Sequence, residues 1–432
     1  MTHKIILITI GSLGDLNPFI ALAHALSEEG YKPIIATSAV YKEYIISENI
    51  EFFPIKPDIT DLKERLGLEL PDIARYMEKD DRFLFEKIIF PYVNDTYEDL
   101  LPICRDVVAI VSHSITFSAR PVAEKLQKTS FTVLLSPLMI YSPLDPPKGS
   151  IIPFIKDPSW DISIGYNRLL ISLLGILATL WAQPLRKLRQ DKALSKLSGL
   201  DLLLGDKTFS HHIALFSPSL VLNSAKKNNK IFYAGHSFYD KYLQSNQLPV
   251  ELDQFIQCGD PPIIFTLGSF VTHGALLYYK LFALAAAKLN RRAILLVNET
   301  DTEALKTECL ENVFISSYIR HSLIFPKCSL IVHHGGIGTT GQALKVGIPQ
   351  LVIPFLGDQF DNAERLCRLG VALKIPVKNI NVNIVIQKIH IILNDPSYLK
   401  MAQDLSKALD DENGAQNAAR YISQKLKDEL DN

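Results

Sequence analysis

Cysteine is scarce, and what there is carries no pattern. Five are scattered through 432 residues (Cys104, Cys258, Cys309, Cys328 and Cys367) and no two stand in CxxC spacing. Neither a disulfide framework nor a zinc site is expected, and a reducing, cytoplasmic setting is the default. Charge of one sign is lacking too: 45 Lys and Arg face 46 Asp and Glu, leaving a formal charge of -1. Without a basic excess, no nucleic-acid partner is expected. Long apolar runs are also missing at the N-terminus, where Ile5 to Ile10 ends at Gly11. That run is too short for a secretory leader and reads as mature structure. A content of 47% hydrophobic and 21% charged residues is ordinary for a globular chain and excludes disordered, collagen-like and coiled-coil classes. The length predicts two or three domains.

What is present alternates. Lys4 to Ile10 is a β-branched run suited to a strand buried on both faces. Asn17 is predicted to cap a helix over residues 19–29, with Pro18 at its first position and Gly30 past its end. Strands follow at Tyr31 to Thr37, Glu51 to Ile55, Val107 to Ser112 and Phe131 to Ser136, with a helix over Val40 to Ser47. A second alternation starts near Pro262, with strands at 263–267, 293–297, 313–316, 330–333 and 350–354. The fold class is therefore α/β, with two Rossmann-like, doubly wound halves. The expected domains are residues 1–240 and 241–415, with a surface helix over 416–432.

Two stretches depart from this rhythm. Asp58 to Leu100 is charged and helical without a strand. After a proline-rich stretch from Pro137 to Gly149, Leu169 to Ala182 is almost wholly apolar and is followed by Arg186, Lys187, Arg189 and Lys192. It falls short of the roughly 20 apolar residues that span a bilayer, so a buried helix is the expectation. The competing reading is a helix that lines an apolar pocket or dips into a membrane surface.

Chemistry concentrates near the second alternation's fourth strand. His333-His334-Gly335-Gly336-Ile337-Gly338-Thr339-Thr340-Gly341-Gln342 runs from strand through a glycine turn into a helix. Unpaired amides at the start of that helix, its dipole and two threonine hydroxyls suit a diphosphate. Adjacent histidines on a strand face opposite sides, so they should not share a metal; one serves the ligand and the other packs. Asp358 and Gln359, at the same sheet edge, offer acceptors and donors to sugar hydroxyls. Residues Gly11 to Asp15 lack the third glycine of GxGxxG, and no acidic residue closes the second strand, so a dinucleotide reading is poor. With Asn17 and Pro18 expected to start the helix, Asp15 is left as a general-base candidate.

The motifs Gly11-Ser12-Leu13-Gly14-Asp15-Leu16-Asn17-Pro18-Phe19, Thr266-Leu267-Gly268-Ser269, His333 to Leu344, Gly347-Ile348-Pro349 and Pro354 to Ala363 resemble those of the UDP-glycosyltransferase superfamily. The likeness is greatest to the branch of sterol 3β-glucosyltransferases and the rhamnosyltransferases of rhamnolipid synthesis. It implies the GT-B fold, two Rossmann-like domains facing a cleft, and inverting transfer of a hexose from a UDP- or dTDP-sugar. The acceptor implied is an apolar, lipid-like alcohol. Asp15 would be the base, on a loop with Gly11, Ser12 and Gly14. His333, His334, Gly335, Gly336, Gly338, Thr339, Thr340 and Ser269 would hold the diphosphate, and Gln342 the ribose. Tyr318 and Ile319 would meet the nucleobase, where Arg320 and His321 replace the usual Pro-Gln. Asp358 and Gln359 would bind the donor sugar. No metal or cofactor is implied. The expected partners are the nucleotide sugar, a small apolar or lipid acceptor and the inner face of a membrane. A nucleotide-sugar-binding protein without turnover is the alternative.

Overall fold

The computed structural model describes residues 3–430 apart from 69, 150–154, 156–159, 205–209, 228–229, 240–246, 269–274, 307–311 and 318. Ser269 and Tyr318, expected at the nucleotide, lie outside the described residues. The chain divides into two units. Unit 1 comprises residues 1–239 and 412–432, and unit 2 residues 240–411.

Unit 1 is built on a seven-stranded parallel sheet ordered β3-β2-β1-β4-β5-β6-β7. The strands are β1 Lys4–Ile8, β2 Lys32–Thr37, β3 Glu51–Pro54, β4 Ala109–His113, β5 Thr129–Leu134, β6 His211–Ala214 and β7 Ile231–Tyr233. Ile5, Ile6, Leu7 and Ile8 are all fully buried, as the continuous apolar run requires when helices cover both faces. One face packs on the helix Leu13–Glu28 and on Gly414–Leu430, through Leu22, Ala418, Ala419 and Ile422. The other packs on the helices between residues 59 and 103.

Unit 2 carries a six-stranded parallel sheet ordered β10-β9-β8-β11-β12-β13. Its strands are β8 Ile263–Thr266, β9 Ala293–Leu296, β10 Val313–Ser316, β11 Leu330–His333, β12 Gln350–Val352 and β13 Ala372–Lys374. The order reverses between β8 and β11, and such a switch opens a crevice at the carboxyl ends of the strands.

Two sequence expectations are corrected here. The first helix begins at Leu13, not at residue 19. Ser12 is its cap, Asp15 its third residue, and Pro18 lies inside it. Asn17 instead accepts a hydrogen bond from the Tyr44 hydroxyl at 3.1 Å. The apolar helix, Asp161–Trp181, is not a buried one: Leu169, Leu173, Ile176, Leu177 and Leu180 are exposed.

Candidate active site

In unit 2 the reversal point places the ends of β8 and β11 side by side, with Thr266 beside His333. His333 closes β11 and is fully buried. Its Nε2 donates to Gln350 Oε1 at 2.9 Å, which leaves Nδ1 to accept the Gly335 amide at 3.1 Å. Both nitrogens thus belong to the protein, and His333 anchors the turn rather than contacting a ligand. Burial, and then His334, push its pKa down to about 3, so the ring is neutral.

His334 points the other way, as strand alternation requires. Its ring sits against two α-carbons. A Cβ on Gly268 would come within 2.5 Å of the ring, and one on Gly336 within 2.4 Å. Gly268 also has φ +74°, which side chains other than glycine's rarely adopt. Both glycines are therefore required by the imidazole between them. Burial, then the His321 charge, push its pKa down to about 4 against a hydrogen bond to the Thr266 backbone. The ring is therefore neutral near pH 7. Its Nδ1 is buried without a partner among the described residues, as is the Thr340 hydroxyl.

Immediately beyond lies the helix Ile337–Val346, which starts at Gly336 with no side-chain cap. The Thr340 amide is the first to bond inside it, to the Gly336 carbonyl at 2.9 Å. The amides of Ile337, Gly338 and Thr339 have no intrahelical acceptor. Neutral imidazole, hydroxyls and free amides together make an anion-binding set without a formal cation. Gln342 is buried on the same helix, and Ile319 is buried after β10.

The Asp358–Asn362 segment is joined to this turn by a residue to which the sequence reading gave no role. Asn362 Nδ2 donates to the Gly335 carbonyl at 2.9 Å and to Asp358 Oδ2 at 3.0 Å. Asp361 and Arg365 form a buried ion pair at 2.7 Å that fixes the first turn of the helix Gln359–Arg368. Gln359 Oε1 accepts the amides of Phe355 and Leu356 at 2.9 and 3.2 Å, leaving its amide nitrogen for a ligand. The spacing of a buried Asp and Arg four residues apart was the available signal.

In unit 1, Asp15 lies at the carboxyl end of β1. Its Oδ2 accepts the Ser12 amide at 2.8 Å and the Ser12 hydroxyl at 3.1 Å, and Ser12 Oγ accepts the Gly14 amide at 3.2 Å. This is a capping box. Asp15 is therefore not spare, as the sequence suggested, but only one of its oxygens is engaged among the described residues. His113, buried at the end of β4, is kept from charging by burial, opposed by the Asp15 carboxylate and a bond to the Ile10 backbone. The Tyr41 hydroxyl donates to the Gly11 carbonyl at 3.0 Å. Burial, with Asp15 adding to it, pushes its pKa up to about 12. The described His, Cys, Asp and Glu residues include no cluster able to hold a metal ion.

Residues 5–89 match the Glycosyltransferase family 28 N-terminal domain, and residues 282–428 match the Erythromycin biosynthesis protein CIII-like, C-terminal domain. Among solved structures, the glycotransferase of kitacinnamycin superposes with a TM-score of 0.71 at 17% identity, covering 99% of this chain and 100% of that one. The Streptomyces sp. SF2575 glycosyltransferase SsfS6, complexed with thymidine diphosphate, superposes with a TM-score of 0.62 at 19% identity, covering 98% and 99%. The two parallel-sheet units are those of the GT-B fold, and the chain carries the N-terminal domain of a glycosyltransferase family.

Within that class the similarity along the whole chain is to sterol 3-beta-glucosyltransferases. UGT80A2 of Arabidopsis thaliana is 27% identical over 98% of this chain and 66% of its own length. The enzyme of Vanderwaltozyma polyspora is 26% identical over 97% of this chain and 34% of its own. The chain thus spans about two thirds of the plant relative and a third of the yeast one.

Proposed function

We propose that the protein is an inverting hexosyltransferase, moving a sugar from a UDP- or dTDP-sugar to the hydroxyl of an apolar, sterol-like or lipid-like acceptor in the cytoplasm. The observation that carries this is the His334 site of unit 2. An unpartnered buried nitrogen, a buried hydroxyl and three free helix amides converge at the switch point of a parallel sheet. Such a set stabilises the charge that develops on a departing nucleoside diphosphate by fixed dipoles, and no metal is required. Neutral His334 carries a single N–H, and it gives the diphosphate a hydrogen bond rather than a charge in the tautomer that places this proton on the unpartnered Nδ1. The acceptor class is supported by the names of the full-length relatives, sterol 3-beta-glucosyltransferases.

Unit 1 would supply the base. The free oxygen of Asp15 takes the acceptor proton as the hydroxyl attacks the anomeric carbon, the bond to the diphosphate oxygen breaks, and configuration inverts. The contribution of Asp15 is to receive the proton late and to position the hydroxyl. Binding without turnover is the second reading, favoured by the capping role of Asp15.

A thermal-shift panel of UDP- and dTDP-sugars tests the first half, since a donor stabilises in proportion to occupancy. Stabilisation by one nucleotide series is expected; none at saturation would overturn the reading. Sugar transfer to a sterol or other apolar alcohol, lost in Asp15→Asn while donor binding stays, separates enzyme from binder.

A further inference from the structure

The helix Asp161–Trp181 packs through one face and leaves an apolar face open, where a surface helix normally turns its apolar face inward. Ser163, Asn167, Ile171, Gly175 and Ala178 form the buried face. There the Gly175 Cα lies against Gly199, the Gly199 amide bonds to Thr179 Oγ1, and Trp181 Nε1 donates to Glu86 Oε1 at 2.8 Å. At 100° per residue, Ile162, Leu169, Leu173, Ile176, Leu177 and Leu180 fall on the opposite side, within about 100° of arc. They are open: Leu177 is 58% and Leu180 60% exposed, and Trp160, just before the helix, is 77% exposed. Asp161, Gly165, Arg168 and Ser172 form an exposed polar stripe along one edge only.

By length and hydropathy this helix could cross a bilayer. Its packed face rules that out, because the residues holding it to unit 1 would have to leave their partners. What remains is a helix lying in the plane of a membrane surface with one side immersed. The exposed charges nearby are Arg168 on the stripe's edge, Arg186 and Lys187 on the next helix and Lys196 after it, against Asp161, Asp191 and Asp201, and it is the Arg186–Lys187 pair, just past the helix's end, that suits an anionic surface. A groove of about 500 Å³ between the helix and residues 198–201 shares Ile176 and Leu180 with the open side. We propose that the open face of Asp161–Trp181 docks unit 1 on an anionic lipid bilayer, with the basic groups against the headgroups. This does not rest on donor chemistry, so failure of the glycosyl-transfer reading would leave it standing, and the reverse.

The test is co-sedimentation of the full chain with vesicles of phosphatidylcholine mixed with phosphatidylglycerol, against phosphatidylcholine alone. The wild type is expected to pellet with the mixed vesicles. A Leu173→Gln/Leu177→Gln/Leu180→Gln variant should lose at least about tenfold in partitioning, and Arg186→Gln/Lys187→Gln about tenfold on mixed vesicles only. Equal binding to both vesicle types, or an unchanged triple variant, would overturn the proposal. So would a dimer in sedimentation velocity that the triple variant abolishes, since the face would then be covered by a second copy. A measurement that leaves the face intact uses Trp181→Phe, which makes Trp160 the sole tryptophan. Quenching of Trp160 by brominated lipid in the mixed vesicles is the expected result, and unquenched fluorescence at full pelleting would sink the idea.

Discussion

The proposed mechanism gives Asp15 two tasks in one carboxylate: Oδ2 closes the capping box, and the other oxygen would meet the acceptor. Asparagine keeps an oxygen acceptor for Ser12 but cannot take a proton. Asp15→Asn should therefore leave folding within about 1 kcal/mol of wild type, leave nucleotide-sugar affinity unchanged, and lower kcat by about 10² to 10⁴; steady-state kinetics beside calorimetry would check all three. His334 predicts differently. Its alanine variant keeps the glycines but loses a donor to a charged group, so donor affinity should fall by about 1.5–3 kcal/mol. Because burial keeps the ring neutral, wild-type affinity for a nucleotide sugar should stay flat between pH 5.5 and 8, as titration calorimetry would show. Strand alternation announced that one histidine would face the ligand. Which one depended on Gln350, seventeen positions away, and no local pattern encodes such a partner.

At the level of elements, the turn after β11 and the helix Gln359–Arg368 behave as one body, held by Asn362 and the Asp361–Arg365 pair. Asp361→Asn would remove the carboxylate charge that faces the buried Arg365 guanidinium, which should cost about 1.5–3 kcal/mol in urea unfolding. His333 at the end of β11 and His334 just after it add a pH term. Their folded pKa values, about 3 and about 4, lie below the unfolded value near 6.5. The unfolded chain therefore binds more protons between those limits. Stability is complete above about pH 6.5 and declines toward pH 4, each ring contributing about 1.4 kcal/mol per pH unit. His334→Asn should make that slope shallower. Most strands were legible because β-branched runs buried on both faces have no other reading. β6 was not, since His211 and His212 open it, and β7 and β13 span only three residues. The start of the first helix was misplaced because Asn17-Pro18 is a good opening signal that the Ser12–Asp15 capping box outcompeted. The Asp161–Trp181 helix shows a different limit: composition reports apolarity, not which side of a helix finds a partner.

On the scale of the whole molecule, unit 1 is assembled from two distant parts of the chain. The Gly414–Leu430 helix completes its core, with Tyr421 stacked on Phe232 at 4.1 Å and Gly414 so near Gly235 that a Cβ would meet its carbonyl oxygen at 2.2 Å. Ile422→Ala, at a fully buried position, should cost about 2–5 kcal/mol. Proteolysis should then cut unit 1 first while unit 2 still protects its nucleotide. This return of the backbone also sets an order of events during synthesis. Residues 240–411 are synthesised before 412–430 exist, so unit 2 can begin to fold while the N-terminal sheet still waits, one helical face bare, for that strip of side chains. A domain ordinarily folds in the order it is made; here the half begun first is finished last, and its uncovered sheet face is the surface a chaperone would have to guard.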